Sequence, residues 1–348
     1  MAKMKTLPKA LLIASVIGGL GFAAFKFMPA QKLAEHATPE TVPTSATPIP
    51  VAEPTPPAAS SAQPNKLPGA GIASGPKTGT NWPMTEDIVK KCSTDDFPLR
   101  NIISNGALDN INLVYSNPNS QFGIAQEDAL ASQQKANKVM MSRIVAVFPL
   151  FSVEIHAIAS NGSTISSLAD LAGKRVVEGP AGSGTNVTVQ LIKQLTGVQW
   201  QTVEGDLSQV DGLKAVQNGA ADVQFIVAGQ PIGLLRGASG IKLVSIQHPA
   251  LKKFGYYTKT QLPTGAYPWL GNPVDTYKVN NVLVTHAHKN RYEQEISNLV
   301  TCITRNIGRL QSEGHSKWRD FDVTDIDHIK WPVHPSALAA IKREAKRK

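Results

Sequence analysis

The residues best suited to chemistry in this chain gather in stretches rich in glycine, hydroxyl and amide side chains. They are Gly75-Pro76-Lys77-Thr78-Gly79-Thr80-Asn81, Ser104-Asn105-Gly106-Ala107, Gly179-Pro180-Ala181-Gly182-Ser183-Gly184-Thr185 and Ala228-Gly229-Gln230-Pro231. The third is the most informative. Glycines in Gly182-Ser183-Gly184-Thr185 let the backbone curl closely around a ligand, and a helix starting there would direct unpaired N–H groups and its positive dipole end at an anion. The Ser183 and Thr185 hydroxyls can add donors, although a plain helix cap would explain the same residues. No lysine follows the glycines as a phosphate-binding loop requires, and the spacing does not fit Gly-x-Ser-x-Gly. Phosphoryl transfer and serine hydrolysis are therefore disfavoured.

Other polar residues have two readings each. Gln126 or Asp128 follows an apolar run directly and could reach a bound polar group such as an ammonium, or Asp128 could cap the next helix. Glu154 and His156 lie two residues apart on one face of a strand, as a catalytic acid and base would, or as members of an ion pair or structural hydrogen bond. His286-Ala-His288 has no third ligand at usual spacing, so no metal and no cofactor is expected. Trp82, beside the first glycine-rich turn, could stack on or cover a ligand; Tyr267, Trp269, Trp318 and Trp331 read as core or surface residues.

These turns need rigid elements to hold them. Short apolar, β-branched runs alternate with amphipathic stretches, the succession of an α/β fold. The expected strands are 99–103, 121–125, 144–149, 153–159, 175–178, 223–227, 241–245 and 280–285. The expected helices are 84–91, 107–115, 167–171, 186–196, 209–218, 231–236, 291–312 and 335–346. The glycine-rich stretches fall where strands hand over to helices, the crevice that open α/β sheets offer to ligands. No internal repeat is evident.

The chain has 348 residues and a formal charge of +9. Lys3, Lys5 and Lys9 precede an apolar run from Ala10 to Phe25, which reads as an export signal. It is shorter than the roughly 20 residues of a usual spanning helix. An uncleaved inner-membrane anchor over 10–25 is one reading, with the rest of the chain outside the cytoplasm; a cleaved signal, with Gly21-Phe22-Ala23 before the cut, is the other. Residues 28–74 are rich in Pro, Ala, Thr and Ser and read as a disordered linker, with the folded part beginning near Gly75. Much of the positive charge sits in the N-terminal lysines and in the tail of the C-terminal segment 331–348, without interleaved aromatics, which disfavours a nucleic-acid partner. The two cysteines, Cys92 and Cys302, could close one disulfide in an oxidising compartment or remain separate buried thiols.

Taken in order, these motifs resemble the TAXI family of extracytoplasmic solute-binding proteins, partners of TRAP transporters, over residues 75–330. The strongest segment is Phe148 to Thr185, where a Phe-Pro-x-x-x-x-Glu-x-His run precedes Asp170-Leu-Ala-Gly-Lys-Arg-Val-Val-Glu-Gly-Pro-Ala-Gly-Ser-Gly-Thr. Lys77-Thr-Gly-Thr, Asp109-Asn110, Gly123-Ile-Ala-Gln-x-Asp128, Ala228-Gly-x-Pro231 and Gly314-His-Ser-Lys-Trp318 support it. The resemblance implies a two-lobed, type II periplasmic-binding-protein-like fold with a ligand cleft between lobes. One lobe would comprise 75–159 and 248–330, the other 160–247. Thr80, Ser104, Gln126 and Gly182 to Thr185 fall on the family's cleft motifs. With their neighbours, the expected ligand set is Thr80, Asn81, Trp82, Ser104, Asn105, Gly106, Gln126, Asp128, Gly182, Ser183, Gly184, Thr185, Gly229 and Gln230. Asn81-Trp82 stands where the family often has two tyrosines, and Ala107 where serine is common. The expected function is capture of a small anion, an amino acid or dicarboxylate, for a membrane permease, or as a tethered sensor for a signalling partner. An enzyme on the same fold is disfavoured.

Overall fold

The computed structural model describes residues 69–287, 292–320 and 322–347. The expected anchor, nearly all of the linker, and His288 lie outside the described residues. Among the described residues no helix is long and apolar enough to cross a membrane.

The first half of the fold comprises β1 (Ala70–Gly75), α1 (Asn81–Cys92), β2 (Leu99–Ile103), α2 (Ala107–Ser116), β3 (Phe122–Gln126), α3 (Glu127–Ala136) and the short α4 (Lys138–Met141). A long strand, β4 (Ile144–Ser160), leads into the second half. There follow β5 (Arg175–Val177), α5 (Gly184–Thr196), β6 (Gln201–Thr202), α6 (Gln209–Gln217), β7 (Val223–Ala228), α7 (Gly233–Arg236) and β8 (Ile241–Val244). The chain returns through α8 (Pro249–Phe254), β9 (Thr258–Leu262) and β10 (Val274–His286), then adds α9 (Glu293–Glu313) and α10 (Pro335–Ala345).

Strand pairing follows one scheme twice. The first half is ordered β2-β1-β3-β10-β4 and the second β6-β5-β7-β4-β8. In each, the first three strands are parallel and the fourth runs antiparallel to both neighbours. β4 therefore serves as an outer strand of one scheme and the inserted antiparallel strand of the other. Topology repeats where no sequence repeat was evident.

β1, β3, β7 and most of β4 are buried on both faces, whereas β2, β6 and β9 carry exposed residues. Ile72, Ile124, Phe148, Ile155 and Phe225 sit at 1% exposure or less in one shared core. Helix α9 buries Ile296, Leu299, Val300, Ile303, Ile307 and Leu310, an i, i+3, i+4 stripe.

The structure corrects the sequence reading in several places, beginning with α4, α8, β9 and the first residues of β10, which were not expected. The fold starts at Ala70, ahead of the boundary expected near Gly75; in Ala-Gly-Ile-Ala-Ser-Gly only Ile72 carries the bulk by which a strand is usually recognised. Strands expected at 144–149 and 153–159 are one strand. Pro149, which cannot donate to a ladder, sits where the pairing with β10 shifts register, so the strand continues past it. Residues 258–274, expected in the first lobe, pack on the second half: Leu262, Tyr267 and Leu270 join Ile226, Leu235 and Ile241 in one cluster. The return crossing thus falls in β10. Cys92, the last residue of α1, and Cys302 in α9 are disulfide-bonded across 210 residues.

Candidate ligand-binding site

The turns at the carboxyl ends of the strands line a partly open cavity of about 160 Å³. Thr80 and Asn81 from the β1–α1 turn, Asn105 and Gly106 from β2–α2, and Gln126 from the end of β3 line it. Ser183, Gly184 and Thr185 from the β5–α5 turn complete the set of expected residues on its wall. The size lies below the roughly 300–1,000 Å³ of pockets for drug-sized ligands, so it suits a small molecule.

Helix starts dominate the wall. α1, α2 and α3 begin at Thr80, Gly106 and Gln126, and none of the three has a side-chain cap. α5 and α6 begin at Ser183 and Ser208, whose hydroxyls accept from the N–H groups of Asn186 (3.1 Å) and Asp211 (3.2 Å). Each helix start carries partial positive charge. Among the described residues lining the cavity, none has an ionisable side chain. Ile124, Val153, Val227 and Ala228 supply an apolar part.

The halves meet beside the cavity at two glycines. Gly106, at φ +120°, brings its backbone so close to the other half that a Cβ there would lie 3.1 Å from Ser183 Cα. A Cβ on Gly184 would lie 1.5 Å from Gln126 Oε1, so any side chain would displace that amide. The Leu108 N–H donates to the Gly182 carbonyl at 3.2 Å, a direct bond between halves. Thr185 is also structural: its hydroxyl accepts from the Val227 N–H at 3.0 Å, fixing α5 to β7.

Six expected residues do not line the cavity. Ser104 is buried and donates to Asn110 Oδ1, while Asn110 Nδ2 donates to the Ile124 carbonyl at 2.7 Å. Trp82 lies beneath the Lys77 ammonium, 5.4 Å from its ring centre. Gly182 gives its carbonyl to Leu108. Asp128 is fully buried and accepts from the Thr188 (2.6 Å) and Tyr257 (2.9 Å) hydroxyls. Burial holds its carboxyl above the usual range against those bonds. Gln126 Nε2 reaches the same Thr188 hydroxyl at 3.4 Å, so the network sits just behind the wall. Gly229 packs on the stem of Lys317. The Gln230 N–H donates to Glu154 Oε2 at 2.8 Å.

Glu154 and His156 are occupied elsewhere. The buried Lys317 ammonium donates to Glu154 (3.0 Å) and Asp320 (2.6 Å). His156 Nδ1 donates to the Glu154 carbonyl at 3.0 Å, since a carbonyl only accepts, which leaves Nε2 to accept from the Tyr267 hydroxyl at 2.8 Å. Burial pushes the imidazole down to about 4.

Sequence reasoning missed Ser208, Gln209 and Asn281 on the wall. Ser208 was detectable as Ser-x-x-Asp ahead of an amphipathic run. Asn281 carries no local signal, standing beside Asn280 in a strand that also holds Thr285 and His286.

Residues 72–342 match the NMT1-like family, which is of the periplasmic-binding-protein type. Among solved structures, the alkanesulfonate-binding protein SsuA from Xanthomonas axonopodis pv. citri, bound to MOPS, is 11% identical. The alignment covers 81% of this chain and 85% of that one, with a TM-score of 0.45. The substrate-binding protein of an amino acid ABC transporter is 10% identical over 74% of this chain and 97% of that one, at TM-score 0.44. The effector-binding domain of QuiR in complex with shikimate is 12% identical over 80% and 95%, at 0.42.

Proposed function

The chain belongs to the NMT1-like family, and from that premise we propose that it is an extracytoplasmic solute-binding protein. It captures a small anionic, carboxylate-bearing solute in the cavity between its halves and presents it to a membrane permease. The observation that carries this reading is the convergence of helix starts from both halves on one small cleft. Their dipoles and N–H groups attract a negative group without a fixed counter-ion.

Ligand contacts drawn from both halves favour the state in which the halves are together, and only a difference in affinity between open and closed states drives that shift. β4 and β10 are the crossing strands about which such a movement would occur. A permease of the TRAP type is the partner we assign, on the resemblance of the stretch from Asp170 to Thr185. Glu154 and His156, the first suspects for catalysis, are held in bonds away from the cavity, which supports binding over turnover.

A thermal-shift screen against organic acids, amino acids and other small solutes tests the reading. A solute at about 100 times its dissociation constant adds about 2.7 kcal/mol of stability. A selective rise in midpoint, abolished by Gly184→Leu, is expected. A chain that stays unmoved across such a panel, or a shift that survives Gly184→Leu, would reject the cavity as the solute site.

A further inference from the structure

We infer that the solute is a small hydroxy acid: a monoanion that carries a hydroxyl near its carboxylate and no ammonium. This rests on the solute-binding reading above and names the ligand class of the same cavity.

The charge balance comes first. Five helices begin at the wall, and their positive ends face one space that no described ionisable side chain lines. One carboxylate is matched by those ends and by hydroxyl and amide donors. A second carboxylate would find no cation. An ammonium would sit among like partial charges with no carboxylate to receive it. The carboxylates nearby are already engaged. Asp109 accepts from the Asn105 N–H at 2.9 Å, Asp206 from the Ala181 N–H at 2.8 Å, and Asp128 from Thr188 and Tyr257. Lys77, the adjacent cation in sequence, lies over Trp82.

The hydroxyl follows from Asn281. This side chain lines the cavity, is 1% exposed, and donates through Nδ2 to Asn81 Oδ1 at 3.2 Å. Its Oδ1 is buried without a hydrogen-bond partner. An orphaned buried acceptor is costly and calls for a donor, and a neutral hydroxyl supplies one without adding positive charge. Ile124, Val153 and Val227 face the remaining carbon skeleton, and the cavity volume of about 160 Å³ keeps that skeleton short.

Isothermal titration of the full chain with lactate, propionate, alanine and malonate tests the assignment. Lactate is expected to bind at least tenfold more tightly than propionate, which lacks the hydroxyl, and than alanine and malonate. Asn281→Leu is expected to abolish the advantage of lactate over propionate, the two being compared in the same variant. Because that substitution could also disturb folding, the wild-type ranking stands as an independent measurement. A lactate advantage below tenfold, or tighter binding of alanine or malonate, overturns the hydroxy-acid assignment. So does failure of both lactate and the shorter glycolate to bind; a midpoint shift with some other solute would then preserve the solute-binding reading, and no shift with any solute would remove both.

Discussion

The two halves of this molecule share a strand order and even a turn motif, Gly-Pro-x-x-Gly-Thr-Asn in one and Gly-Pro-x-x-x-Gly-Thr-Asn in the other, yet they treat the helix starts differently. In the first half α1, α2 and α3 begin without a side-chain cap; in the second, Ser183 and Ser208 close the first turns of α5 and α6. The first half braces its binding helix from outside, through the Cys92–Cys302 bond to α9. The second braces its sheet through Glu178, which accepts from Trp200 Nε1 (2.6 Å) and the Thr202 hydroxyl (3.0 Å). One topology can thus leave its first-turn donors to a ligand or use them internally. The first half has the more open electrostatic face.

That contrast can be broken or sharpened by experiment. The largest effect is expected from deleting residues 70–75. This removes β1, the strand between β2 and β3, and far-UV circular dichroism should report loss of the native fold. A truncation with native stability would show that the first half does not depend on its central strand. Lys317→Met should cost about 3–5 kcal/mol in denaturant unfolding, because it leaves Glu154 buried and uncompensated. Adding Glu154→Gln should recover much of that loss.

A smaller effect depends on pH and belongs to the second half. His156 is held neutral, so on acidification the unfolded chain takes up its proton first, and this contribution to stability falls as pH drops from about 6.5 through about 4. The drop is worth about 3 kcal/mol. Burial also raises Glu127, Asp128 and Glu154, which act in the opposite direction, so the quantity to measure is the difference between wild type and His156→Gln. It should shrink in that window; a flat difference would mean that the imidazole is not sequestered. The smallest effect addresses the caps themselves. Ser183→Ala and Ser208→Ala should each cost about 1 kcal/mol of stability. Thr80→Ala should leave stability nearly unchanged and weaken solute binding. Equal stability losses in both halves would erase the contrast.

Much of the fold was legible because buried strands are rich in apolar, β-branched residues. The run at 223–227, with Gln224 its one polar residue, announces itself, 99–103 and 241–245 are legible by their Leu, Ile and Val residues, and the turns after 99–103 and 223–227 carry glycines and amides. β1 escaped because its side chains are small, and β6 because it is two exposed residues long. At the site, local motifs located the turns but not the direction of each side chain. Asp128 and Gln230 follow strand ends as a binding residue would, yet each bonds a partner far away in sequence: Asp128 with Thr188 and Tyr257, Gln230 with Glu154. Asn281 is the converse. Nothing beside it in the chain marks it, and only the juxtaposition of β10 with α1 and β3 brings it to the wall.

The double role of β4 bears on how the molecule comes apart. Its early residues pair with β10, its late residues with β7 and β8, and residues near Glu154 pair on both sides. Fraying in either half would strip backbone partners from a strand the other half needs. Local openings that begin at an edge therefore propagate through the shared strand, and the described fold should melt as one cooperative unit, with calorimetric and van't Hoff enthalpies in agreement.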